Sequence, residues 1–325
     1  MNPHSVNQNN ANQHSVNQDS APPVVVLLGD IMTDLVARLD GPLVPASDSP
    51  ARITAEGGGA AANTASWLAG LGVHAVLLGR VGDDPAGRSA SDGLRAAGVE
   101  VRFTIDPVMA TGTVIVLVEP GGERTMVPDP GANSALTTQD LPIEAFTPGA
   151  HLHLSGYTLL KPGSRDAGLA ALELARASGM TVSVDVASVG PLSTVGAQRF
   201  LGWIDGIDVL FANRAEAAFL AGGGADDDDP EQTTAVLAQH CGLAVVKLGA
   251  DGASARTSAG AFEHAAAVQL DPDSAVDSTG AGDAFAAGFL HGWLTGRSTA
   301  DALRSGCTLA ARAVSAIGAR TGIGP

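Results

Sequence analysis

The regular pattern of the chain begins at residue 24. Val24 to Leu28 is an unbroken apolar run closed by Gly29. A run of that kind reads as a strand buried on both faces, the habit of parallel sheets. Similar runs recur at His74 to Leu78, His151 to Leu154, Thr181 to Asp185, Val209 to Ala212 and Ala244 to Leu248. Between many of them the apolar residues step by three and four. Ala60 to Leu71 aligns Trp67, Leu68 and Leu71; Asp166 to Ala177 aligns Leu169, Leu172 and Leu174. Ala302 to Ile317 aligns Leu303, Cys307, Ala310, Val314 and Ile317. Such stripes predict helices with one buried face. Strands alternating with helices predict an α/β protein with a doubly wound, mostly parallel sheet.

Two stretches break the alternation. Val36 to Ile53 is short, Pro-rich and partly alternating. Val99 to Val127 holds an extended segment from Thr113 to Val118, a Gly121-Gly122 turn and a second segment from Glu123 to Val127. That is the pattern of a β-hairpin. The two stretches predict a small β lid, formed by about residues 36–56 and 99–130, on a main domain spanning 23–325. Residues 1–22 are rich in Asn, Gln and Ser, with the near-repeat His4 to Gln8 and His14 to Gln18. A tract so poor in apolar side chains is expected to be a disordered tail. The four aspartates Asp226 to Asp229 read as a wet loop.

Composition narrows the functions. With 325 residues, 45% of them hydrophobic, the chain can bury a large core. Its net charge is −16, and Lys and Arg are nowhere clustered. A nucleic-acid duplex or an anionic membrane surface is therefore not an expected partner. No apolar run reaches spanning length, and the N-terminus lacks the basic start and apolar segment of a signal peptide. The expectation is a cytoplasmic enzyme. Cys241 and Cys307 lie in apolar, helix-like surroundings and are expected as buried free thiols.

The chemistry concentrates in Asp277-Ser278-Thr279-Gly280-Ala281-Gly282-Asp283. A Gly-rich turn opening a helix aims unsatisfied N–H groups at an anion. A carboxylate beside that anion makes sense if Asp283 faces a hydroxyl that attacks a phosphate. It also makes sense as a helix cap. This loop by itself leaves both open. Earlier in the chain, Gly57-Gly58-Gly59 precedes an Ala-rich helix and allows a ligand close to the backbone, with Asn63 one turn in. The spacing is not the GxGxxG of a dinucleotide fold. Asn213 and Glu216 follow a strand, in a spacing that suits a capping box. Lys247, Gly249 and Gly252 follow another strand, where glycines let a ribose or phosphate approach.

The run from Gly280 to Asp283 resembles the C-terminal signature of the PfkB, or ribokinase-like, carbohydrate kinases. Gly57 to Ala65, followed by Gly79-Arg80-Val81-Gly82-Asp83-Asp84 and Gly87, resembles the N-terminal signature of the same family. The resemblance implies a ribokinase-like fold and transfer of the ATP γ-phosphoryl group to a hydroxymethyl oxygen. It makes Asp283 the catalytic base, with Gly280, Ala281 and Gly282 as the anion hole. Asp34, rather than Asp30, would hold the acceptor with Gly58, Gly59, Asn63 and Asn133. Asn213, Lys247, Gly249, Gly252 and Thr279 would contact ATP. Glu216 would organise Mg²⁺ through water, with Asp185 near the metal. Asp277, with the backbone at Thr279 and Gly318, stands where some relatives hold a monovalent cation such as K⁺.

Members that bind phosphorylated sugars often carry a basic residue in the first glycine motif. Gly59 stands there, so an unphosphorylated sugar or sugar-like acceptor is expected, with a nucleoside as the alternative. Arg124 could reach a carboxylate or phosphate from the lid, and Ser155-Gly156-Tyr157 lies where relatives contact substrate. A lid with open strand edges is expected to pair with a second copy. Two other classes remain open on sequence: a binding or regulatory module that kept the fold, and a dinucleotide-dependent oxidoreductase.

Overall fold

The computed structural model describes residues 22–121, 123–223, 229–270, 278–315 and 318–320. The expected tail at 1–21, most of the acidic loop and Asp277 lie outside the described residues. The chain starts with β1 (Val24–Leu28), β2 (Met32–Leu39), β3 (Ala51–Gly58), α1 (Ala60–Gly70), β4 (His74–Gly82) and α2 (Pro85–Ala96). It continues with β5 (Glu100–Asp106), β6 (Gly112–Val118), β7 (Arg124–Asp129), β8 (His151–Ser155), α3 (Gly156–Leu160), α4 (Arg165–Ala177) and β9 (Thr181–Asp185). There follow α5 (Val189–Val195), α6 (Ala197–Ile204), β10 (Ile207–Asn213), α7 (Arg214–Leu220), α8 (Pro230–Leu237) and β11 (Cys241–Lys247). The last elements are β12 (Ala253–Thr257), β13 (Phe262–Ala265), α9 (Ala281–Leu294) and α10 (Thr299–Val314).

Among the described residues the large sheet has nine strands in the order β13-β12-β11-β10-β9-β8-β1-β4-β5. From β11 to β5 every pairing is parallel, and β12 and β13 add an antiparallel edge. The central strands bury both faces. In β1, Val26 and Leu28 enter one core while Val25 and Leu27 enter the other. That two-sided burial is why β1 reads as a continuous apolar run rather than an alternating one. The strand order leaves β1 in both directions, toward β4 and toward β8. A crevice at such a reversal, outside the carboxyl ends of the strands, is where α/β sheets bind ligands.

The second sheet has the order β3-β2-β6-β7. It starts earlier and holds less of the chain than the sequence pattern predicts. Strand β2 begins at Met32, so Asp34 lies inside this sheet and not in a loop after β1. Residues Glu100–Asp106, assigned to the lid by the sequence reading, form β5 at the edge of the large sheet, parallel to β4. Val101 and Phe103 pack there against the core that holds Trp67 and Leu94. The extended segments read at 113–118 and 123–127 are β6 and β7, an antiparallel pair.

Candidate active site

Four neighbouring parallel strands end at the same edge of the sheet, β8 and β9 level with each other and β10 and β11 two residues further on. Ser155 closes β8, Asp185 closes β9, Asn213 closes β10 and Lys247 closes β11. Register pairs Ser155 with Asp185 and Asn213 with Lys247. Pleating and register therefore bring polar ends together that are far apart in sequence. The Lys247 ammonium donates to Asp185 Oδ2 at 2.6 Å. Burial works against that ammonium, but Asp185 and Glu216 hold its pKa above the ordinary lysine value.

Asn213 and Glu216 form a complete capping box for α7. Glu216 N donates to Asn213 Oδ1 at 2.9 Å, and Asn213 N donates to Glu216 Oε2 at 2.8 Å. Asn213 Nδ2 also donates to Glu216 Oε1 at 2.6 Å. The cap thus holds a buried carboxyl group at the pocket wall. Burial pushes Glu216 up to about 7, against the pull of Lys247. The structural and chemical readings of this pair hold together.

Helix α9 enters the same space from the other side. Its cap is Gly280, in the left-handed region at φ 74°. A Cβ on Gly280 would lie 2.6 Å from Ala319 Cβ, so the turn requires glycine. Asp283 is the third residue of α9 and is not the cap. Its Oδ2 accepts a hydrogen bond from Asn63 Nδ2 at 2.8 Å, across 220 residues. The carboxylate points across the crevice toward α1 instead of back at its own helix. Burial pushes Asp283 up to about 7, with Asn63, Lys247 and Arg320 pulling down and Asp185 pushing further.

These groups surround one cavity of about 320 Å³, lined by Ser155, Asp185, Asn213, Glu216, Lys247 and Asp283 among others. Lys247, Gly249 and Gly282 connect it to a second cavity of about 460 Å³. The second is mostly apolar, with Gly252, Val268, Phe285, Cys307 and Val314 on its walls. The pair suits a phosphate chain leading to a flat apolar ring. Arg124, from β7, donates to Thr279 Oγ1 and so ties the small sheet to the turn before α9.

The opposite side of the crevice is built from the small sheet and the start of α1. Asp34 packs on Gly58, where any Cβ would come within 2.1 Å of the carboxylate. Gly59 caps α1 at φ 95°. Burial raises Asp34 to about 6, with Arg320 opposing and Glu56 adding to it. Asp30 is instead paired with Lys161 at 3.0 Å, which supports Asp34 as the carboxylate available to a ligand.

One expected contact falls away. Asn133 is 5% exposed, and its amide is spent on backbone. Its Oδ1 accepts from Ile31 N, and its Nδ2 donates to the carbonyls of Ile31 and Pro130, all at 2.9 Å. It pins the start of the small sheet and has no donor left for a sugar. The sequence reading also missed Arg320, whose guanidinium reaches Asn63 and Gly58 from the other end of the chain. No local signal marks it. Ala187, in the cavity wall, holds φ at 84°, a strained value for a residue with a side chain and a frequent mark of functional sites.

A magnesium ion with its nucleotide phosphates fits the donor set. Mg²⁺ keeps several waters and asks for one or two carboxylates beside phosphate oxygens. Glu216 and Asp185 are such carboxylates, with Lys247 between them. The buried hydroxyl of Ser155 has no hydrogen-bond partner and faces the same cavity. A buried polar atom left in that state marks a place for a ligand or its water.

Residues 23–324 match the family model described as pfkB family carbohydrate kinase. An ATP-dependent ribose-1-phosphate kinase of Halopiger xanaduensis is 34% identical over 275 residues, 83% of this chain and 85% of that protein. The adenosine kinase structure from Sinorhizobium meliloti superposes with a TM-score of 0.83 at 28% identity, over 92% of this chain and 96% of that one. The Vibrio cholerae fructokinase, with fructose, ADP and calcium bound, has a TM-score of 0.76 at 29% identity, over 93% and 96% of the two chains. The chain belongs to the pfkB family of carbohydrate kinases. Its fold is ribokinase-like, and it is an ATP-dependent kinase of sugars or nucleosides.

Proposed function

We propose that Asp283 takes the proton of an acceptor hydroxymethyl group while that oxygen attacks the ATP γ-phosphoryl group. The observation that carries this is the half-buried Asp283 carboxylate, held by Asn63 at the mouth of a helix-start anion turn and lining one cavity with Lys247. The transition state of phosphoryl transfer is loose, so positioning and charge supply most of the catalysis. The backbone of Gly280, Ala281 and Gly282 neutralises charge on the moving group, and Thr279, Asn213, Lys247, Gly249 and Gly252 hold the nucleotide. Mg²⁺ bound with ATP neutralises the phosphates, and Glu216 holds its water shell. A K⁺ ion near Asp277, Thr279 and Gly318 is part of the same reading.

Asp34, Gly58, Gly59 and Asn63 hold the acceptor. Gly59 supports an unphosphorylated sugar. A second reading, an acceptor with a phosphate like that named for the Halopiger relative, is favoured by the guanidinium of Arg320 beside Gly58. The small sheet acts as a lid that excludes water. Its outward face carries exposed Ile53, Ile115 and Val127, a surface for a second copy of the chain. A monomeric mass in solution scattering would count against that dimer.

The test is ADP release with Mg-ATP over D-ribose, D-fructose, ribose 1-phosphate, a sugar acid and adenosine, with and without K⁺. We expect the highest kcat/KM on an unphosphorylated sugar. Turnover confined to ribose 1-phosphate would replace that reading with the second.

A further inference from the structure

The amide of Asn63 has two faces, and only one orientation lets it donate to Asp283. An asparagine amide turned by 180° exchanges its oxygen and nitrogen at almost no cost in shape. In this molecule Oδ1 of Asn63 accepts from Arg320 Nε at 2.9 Å, while Nδ2 donates to Asp283 Oδ2 at 2.8 Å. The turned amide would set two acceptors against each other at Asp283 and two donors against each other at Arg320. The same guanidinium donates through its terminal nitrogen to the Gly58 carbonyl at 2.6 Å. Arg320 thus clamps both ends of the turn from β3 into α1.

We propose that Arg320 is a positioning residue for catalysis: it locks the Asn63 amide toward Asp283. The proposal rests on Asp283 being the base.

Several observations converge on it. Arg320 is half-buried, and its two strong hydrogen bonds go to neutral oxygens, not to a carboxylate. Burying a guanidinium on neutral acceptors costs stability unless charge nearby offsets it. Asp34 and Asp283 supply that charge at longer range, and burial nonetheless brings the guanidinium pKa down to about 10. The electrostatic effect is mutual, so Arg320 also pulls both carboxyl groups toward their ionised forms. Asp283 faces Asn63 from α1, Asp185 from β9, Lys247 from β11 and Arg320 from the C-terminal segment. Lys247 is already shared with Asp185 and Glu216. Arg320 is therefore the cation that the acceptor side gives to the base. The residue before it is held from two sides: Trp67 Nε1 donates to Ala319 O at 3.0 Å, and Ala319 packs on Gly280. One short segment touches both glycine motifs.

The experiment measures kcat and KM of Arg320→Gln and Arg320→Lys against pH. The acceptor is whichever of D-ribose, D-fructose, ribose 1-phosphate and adenosine the wild-type enzyme turns over fastest. For Arg320→Gln we expect kcat to fall about tenfold or more, the order of one charge-assisted hydrogen bond, with the KM for ATP within threefold. The acid limb of its kcat profile should move to higher pH. Arg320→Lys keeps the charge and loses the fork, so its limb should stay near wild type while kcat falls. Mg-ADP affinity serves as the fold check for each variant. If Arg320→Gln fails it, Arg320→Lys must still separate a lowered kcat from an unmoved limb.

An unchanged kcat and limb in Arg320→Gln would overturn the proposal. So would a rise only in the acceptor KM, which would make Arg320 a substrate contact. Asp283→Asn is run in parallel: turnover in that variant removes the base assignment itself, whereas a dead Asp283→Asn with an unmoved Arg320→Gln profile removes only the role of Arg320.

Discussion

The two halves of the crevice are built by different rules. The nucleotide half is made of neighbours: strand ends in register, a capping box within four residues and a glycine turn running directly into Asp283. The acceptor half is made of strangers. Asp34 comes from β2, Gly58 from β3, Asn63 from α1 and Arg320 from the far end of the chain. A half fixed by local backbone geometry resists change, because each part is set by the element it terminates. A half assembled from distant segments can exchange one partner without rebuilding the others. That contrast fits a family in which similar folds carry the names ribose-1-phosphate kinase, fructokinase and adenosine kinase. On the proposed reading, the shared chemistry belongs to the first half and the varied acceptor to the other.

Asp283 belongs to both halves, so its loss should have the largest effect. Asp283→Asn should keep Mg-ADP affinity and lower kcat by about a thousandfold, the scale of general-base catalysis. Near-normal turnover would break the assignment. A change confined to the acceptor half should act on binding. Asp34→Asn should raise the acceptor KM by about tenfold, the worth of a charge-assisted hydrogen bond, and leave the KM for ATP unchanged. Equal rises in both would show that the halves are not separable.

The smallest effect is on stability, and its sign follows from the raised carboxyl pKa values. Asp34, Glu216 and Asp283 hold protons to about 6, 7 and 7 in the folded protein, well above their ordinary values. Between the two limits the folded state binds more protons than the unfolded state, so stability falls as pH rises through that range. At pH 8 the ionised, buried carboxylates are a burden. Asp283→Asn should then melt about 2–4 °C above wild type by differential scanning fluorimetry, with the gap closing toward pH 5. A variant that melts lower at pH 8 would mean that the carboxylate stabilises the fold.

Much of this was readable in the sequence, for stated reasons. The buried strands announce themselves because two-sided burial leaves no polar positions, as in Val24–Leu28. The nucleotide half is readable because its groups follow strands or open helices at fixed short spacings. The reading failed where context decides. Glu100–Asp106 has the alternation of a lid strand, yet it pairs with β4 in the large sheet. Helix α2 escaped notice because it buries mainly small residues, with Leu94 its one large apolar anchor. Asn133 is placed as a ligand contact by sequence position, but the fold spends its amide on the backbone of Ile31 and Pro130. Arg320 carries no pattern at all, since its partner Asn63 is 257 residues away.

The central claim is that a single carboxylate, Asp283, must be ionised for the acceptor to react. The direct measurement is kcat from pH 5 to 9, at saturating Mg-ATP and acceptor, in wild type and in Glu216→Gln. Burial holds both Asp283 and Glu216 near 7, so the variant separates them. The account predicts a tenfold loss of kcat per pH unit below a midpoint near 7, persisting in Glu216→Gln. A profile flat down to pH 5, or a limb that vanishes with Glu216, would contradict it.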